Sequence, residues 1–88
     1  MRIKDGFIMK KLGKGYVVVT VGQASKDFNG MIRLNPAGAV LWQKILDGTD
    51  SRDKLISFML ERYEDLDETT ANQDLDEFLE TVKIALEA

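Results

Sequence analysis

The chain contains no cysteine, no histidine and a single proline among its 88 residues. Without cysteine it has no disulfide framework, no thiol nucleophile and no thiolate zinc site. Without histidine the usual acid and base near neutral pH is missing, together with the commonest nitrogen ligand for metals. Most catalytic schemes are excluded on these grounds. Long apolar runs are lacking as well: 16–21 contains Thr20 and is far too short to cross a bilayer, and MRIKDGFIMKK at the start has no apolar signal segment. The expected location is the cytoplasm, with no membrane partner.

What is present describes a folded chain. Hydrophobic residues make up 44% and charged residues 31%, too apolar for disorder. A chain of this length supports one core, so one domain is expected over 1–88. The net charge of −3 hides a polarity. Arg2, Lys4, Lys10, Lys11, Lys14, Lys26 and Arg33 face only Asp5 and Asp27 in the first third. Asp67, Glu68, Asp74, Asp76, Glu77, Glu80 and Glu87 face only Lys83 at the end. Such runs are either solvated faces or a basic edge and an acidic helix with a partner between them.

The first third reads as β-structure. The segments 7–12 (FIMKKL) and 16–21 (YVVVTV) flank Gly13-Lys14-Gly15, which supplies the glycine of a tight hairpin. Apolar residues on both faces of 16–21 predict a central strand. The stretch GQASKDFNG reads as a connection, with Phe28 folding back over the sheet. A third strand over 31–34 directs Ile32 and Leu34 into the core and lies at an edge. Asn35 is then a good N-cap and Pro36 a good first helical residue, because proline lacks an N–H that the helix start leaves unpaired anyway. Helices are predicted over 36–47, stopped by Asp47-Gly48, over 51–63, capped by Ser51 or Asp50, and over 68–86, capped by Asp67. In the last, Ala71, Leu75, Phe78, Leu79, Val82 and Leu86 recur at spacings of three and four.

The chemistry offered by these elements is recognition. Asp74, Asp76, Glu77 and Glu80 lie on a helix without the glycine turns of oxygen-rich metal loops, so no metal is expected. Lys14 between two glycines belongs to a hairpin and has no strand-to-helix context for phosphate. Three strands and three helices also suit a winged helix-turn-helix, but the acidic third helix opposes phosphate contact, so no nucleic-acid partner is expected; DNA binding or a regulatory interaction module is the alternative reading. A short edge strand beside an amphipathic helix instead offers a groove to an extended peptide, unless a helix or terminus covers it.

Four segments in order, GMIRLNPAG, LWQKILDGT, SRDKLISFMLERY and LDETTANQDLDEFLETV, resemble the PqqD family, small peptide-binding domains also known as RiPP recognition elements. The most specific pieces are Leu34-Asn35 with Gly38, the Asp47-Gly48 stop, and Asp74 ahead of Phe78-Leu79. The chain departs from the family at 86–88, where a glycine followed by apolar residues is common. The resemblance implies an α+β, winged helix-turn-helix-like fold, a three-stranded antiparallel sheet followed by three helices, with no activity and no cofactor of its own. It implies a chaperone that binds the leader segment of a ribosomally made precursor peptide and presents it to a modifying enzyme. That enzyme is commonly a radical SAM maturase whose iron–sulfur clusters belong to the partner. On this chain the leader would add beside Met31, Ile32, Arg33 and Leu34 and touch the third helix near Asp74, Leu75, Phe78 and Val82, with Arg33 and Asp74 setting register through charge. A monomer, or a weak homodimer through the exposed edge, is expected.

Overall fold

A computed structural model describes residues 1–87. In chain order the elements are β1 (Arg2–Ile3), β2 (Phe7–Leu12), β3 (Gly15–Thr20), a short α1 (Ala24–Asp27), β4 (Ile32–Leu34), α2 (Pro36–Leu46), α3 (Arg52–Arg62), α4 (Glu68–Thr81), a 3₁₀ turn (Lys83–Ala85) and β5 (Leu86–Glu87). The fold is α+β. Its main sheet is antiparallel in the order β2-β3-β4, so β3 is central and β4 an edge.

The hairpin follows from two residues. Gly13 adopts φ +61°, whereas no non-glycine residue among those described has a positive φ. A positive φ at the first central position only is the type II′ pattern, whose twist matches that of the flanking strands. The turn fixes the register at Leu12↔Gly15 and carries it to Phe7↔Thr20. One sheet face then presents Phe7, Val18, Ile32 and Leu34 to the core. Phe28 lies 6.2 Å from Phe7, ring to ring, in a stacked arrangement, and Thr20 Oγ1 donates to the Phe28 carbonyl at 2.7 Å.

The strand-to-helix join at Leu34-Asn35-Pro36 needs no loop. Asn35 is extended, its Oδ1 accepts the Gly38 N–H at 2.7 Å, and Pro36 opens the helix. Helix α2 buries Leu41, Trp42 and Ile45 under the sheet and against the other helices. Ser51, rather than Asp50, caps α3 by accepting the Lys54 N–H; Asp67 caps α4 through Thr70. Arg52 staples α3 to α4: Nε and Nη2 donate to Asn72 Oδ1 at 3.3 and 2.9 Å, Nη2 also to the Asn72 carbonyl, and Nη1 lies 2.7 Å from Asp76.

Three features depart from the sequence reading. The last helix does not continue to 86 but ends at Thr81; Val82 leaves helical geometry at φ −102°, ψ 11°, and the chain tightens into the 3₁₀ turn. The redirection allows Leu86 and Glu87 to pair with Ile3 and Arg2, supported by the Lys4 N–H donating to the Ala85 carbonyl at 2.8 Å and by an Arg2–Glu87 ion pair at 2.9 Å. This terminal pair, β1 with β5, is a second small sheet that the local pattern does not announce. Finally, the connection 22–30 holds the helical turn α1, which buries Ala24. The remaining strand and helix limits coincide with the expected ones or differ by a single residue.

Candidate functional site

The strand pairing fixes the direction of each hydrogen-bonding group along the sheet edge. In a two-residue hairpin the closing residues exchange hydrogen bonds, and antiparallel partners then alternate between bonded and non-bonded pairs. Leu12↔Gly15 is the closing pair here, so Lys10↔Val17 is bonded as well. The Val21 N–H donating to the Gly6 carbonyl at 2.8 Å falls on the same alternation and confirms it. Val17 therefore directs its N–H and C=O to β2, while Tyr16 and Val18 direct theirs to β4. Their partners Leu34 and Ile32 are consumed by the ladder. Arg33, opposite Val17, turns its N–H and C=O away from the sheet, and among the described residues no strand pairs with that side.

Beside the end of this edge opens a groove of ≈ 830 Å³. Arg33, Leu34 and Asn35 form its strand rim, and Ala37, Gly38 and Leu41 of α2 its floor. The end of α3 and the α3–α4 connection contribute Met59, Arg62, Tyr63, Glu64, Asp65 and Leu66, while α4 contributes Asp74, Glu77, Phe78 and Thr81. Gly38 is what lets these elements close together. A Cβ there would stand 3.2 Å from Asn35 Oδ1, 3.5 Å from Phe78 and 3.6 Å from Leu34. A side chain larger than a methyl would push Phe78 and Leu34 apart.

The expected site residues fall into three groups. Arg33, Leu34, Asp74 and Phe78 line the groove. Leu75 and Val82 are completely buried and form the support behind α4, out of reach of a docked side chain. Met31 is half exposed and Ile32 is in the core, and both lie along the strand away from the groove's lining. The alternation of β4 also separates Arg33 from Asp74: Ile32 and Leu34 face the helices, so the Arg33 side chain leaves from the opposite sheet face. Register by an Arg33–Asp74 charge pair does not follow from this placement.

Glu77 and Thr81 were legible as members of the Asp74 face of α4, at helical spacings of three and four. The α3–α4 connection had no signal of its own, because a wall made by a turn depends on where two helices dock. The groove carries four carboxylates, Glu64, Asp65, Asp74 and Glu77, and the Arg62 guanidinium, while the Arg33 guanidinium leaves on the other sheet face; none of these groups is ion-paired among the described residues. Shifted carboxylates lie elsewhere: the Asp67 carboxyl is held below its ordinary 3.8 by accepting the Thr70 N–H, and Asp50 is lowered by its hydrogen bond and charge attraction to Lys54.

A sheet edge with free backbone groups, continuous with a groove walled by a helix, is able to take in an extended chain. Comparison with known proteins agrees with that class of architecture. Residues 15–84 match the family described as Coenzyme PQQ synthesis protein D (PqqD), and the chain belongs to that family. No curated protein matches it. A solved structure, "TbiB1 in Complex with the TbiA(beta) Leader Peptide", is similar in fold with a TM-score of 0.77 and 21% sequence identity, over 100% of this chain and 96% of that one. No helix of the described residues is long and apolar enough to cross a membrane.

Proposed function

We propose that this chain is a non-catalytic recognition domain that binds the leader segment of a ribosomally synthesised precursor peptide by strand addition to β4 and presents it to a modifying enzyme. The observation that carries the reading is the outward-facing backbone of Arg33 at the mouth of the groove. Membership of the PqqD family supports it, and the similar fold of TbiB1 is one whose structure is described with a leader peptide. The other sheet edge is less suited: β2 carries Lys10 and Lys11, a common guard against unwanted pairing.

In this reading the outward backbone groups at Arg33 supply general affinity, and the apolar side chains of Leu34 and Phe78 select leader side chains. Leu75 and Val82 hold α4 in place behind them, and Asp74 lines the same groove. The modifying enzyme is a radical SAM maturase acting in the cytoplasm, and its clusters belong to it. Ordering a flexible leader costs conformational entropy, so affinity for the isolated domain is modest until the enzyme adds contacts.

The test is amide-shift mapping with a synthetic leader taken from a precursor peptide encoded beside this chain. Shifts concentrated on 31–35 and 74–81 are expected. Shifts confined to the exposed side of α2, with those segments silent, would overturn the assignment.

A further inference from the structure

The backbone directions of β4 constrain the visiting strand whichever way it runs. Because Arg33 alone of Ile32, Arg33 and Leu34 turns its N–H and C=O outward, the added strand exchanges its hydrogen bonds with Arg33. In a parallel or an antiparallel pairing, the residue opposite Arg33 carries its side chain on the sheet face that Arg33 uses. That face lies opposite the groove. The two neighbours of that residue project to the other face, one beside Leu34 at the groove, the other beside Ile32.

The outer face has a charge pattern that is open at one end. Lys10, Val17 and Arg33 form one row across the three strands. Val17 is buried, yet it stands apart from the main core cluster, and the row places two long basic stems at its sides. Neither Lys10 nor Arg33 has an acidic partner among the described residues. The next position in the row belongs to the added strand. We infer that the leader segment docking on this chain carries an Asp or Glu opposite Arg33, flanked on both sides by apolar residues, one of which enters the groove beside Leu34 while the other covers Ile32. The inference rests on the strand-addition reading and names the sequence pattern which that site selects.

A display library of nine-residue peptides, randomised at every position and selected on the full chain, tests it without requiring the natural leader. Selected peptides should show Asp or Glu enriched by up to about five-fold at one position between two apolar ones, the upper end for a cross-strand charge pair. Selection on Arg33→Glu should move the enrichment at that position to Lys or Arg, and Arg33→Gln should flatten it. Arg33 is exposed, so both variants retain the core. Binders that show the apolar pair but no acid between, or no reversal with Arg33→Glu, overturn the charge inference and leave strand addition standing. If wild type yields no peptide above background, strand addition fails and the inference fails with it.

Discussion

Replacing Arg33 by proline should leave the fold standing while disabling the edge, whereas the same replacement one residue earlier should remove a large part of the chain's stability. Proline removes a backbone N–H and fixes φ near −65°. At Arg33 the lost N–H faces water, a position where edge strands accept proline, so the cost should stay within about 1 kcal/mol, or about 4–8 °C in Tm. At Ile32 the lost N–H belongs to the bonded pair with Val18, and a buried side chain is truncated as well. Together these should cost at least about 3–5 kcal/mol, a large part of the roughly 4–13 kcal/mol expected of a chain this size. Trp42, the only tryptophan and completely buried, reports both melts by fluorescence. For binding, Arg33→Ala is the control that removes the guanidinium and keeps the N–H. One net hydrogen bond of about 0.5–1.5 kcal/mol separates the two variants, so Arg33→Pro should bind a selected peptide about two- to twelve-fold more weakly than Arg33→Ala. Equal destabilisation by the two prolines would refute the assigned alternation. Equal binding by Arg33→Pro and Arg33→Ala would refute the role of that N–H.

Asn35→Ala deletes the cap at the strand-to-helix join and should cost about 1 kcal/mol, read as a Tm fall of about 4–8 °C; an unchanged melt would mean that Pro36 alone starts the helix. Arg52→Ala should cost about 1–2 kcal/mol by releasing the Asn72 and Asp76 contacts between α3 and α4, and Arg52→Lys should not restore it, since an ammonium cannot span both partners; full rescue by lysine would contradict the forked geometry. Asp67 has a folded pKa depressed below 3.8, so its contribution is complete above the unfolded value and is lost as pH falls through the folded one. Asp67→Asn keeps a capping oxygen without the titration, and denaturant melts between pH 5 and pH 2 should fall less steeply for it than for wild type; parallel slopes would remove Asp67 from the acid response.

Much of this architecture is written in short-range chemistry. Asn35 and Pro36 announce a helix start because a capping oxygen and a missing N–H solve the same local problem. Ser51 and Asp67 do so for the same reason, and the alternation of Ile32 and Leu34 about Arg33 sets their faces. The terminal sheet is different. Two-residue strands carry no periodicity, and Arg2 and Glu87 become neighbours only after everything between them has folded. Val82 and Leu86 share helical spacing with Leu75 and Phe78, which hides the 3₁₀ turn between them. Spacing likewise marks Leu75 and Val82 as apolar without telling a groove wall from its backing. That distinction depends on how α4 docks against α2, and Gly38 decides it through a contact remote in sequence.

The pairing of β1 with β5 has a consequence for motion. It closes nearly the whole chain into one loop, so its entropy of closure is the largest in the molecule and is met by very few hydrogen bonds. The pair should form last and open first, well below the free energy of global unfolding. Its opening releases the 3₁₀ turn, and with it the last turn of α4, where Thr81 lines the groove. Breathing at the chain ends thus reaches the groove through one helix terminus, and hydrogen exchange at the Lys4 amide measures how often it occurs.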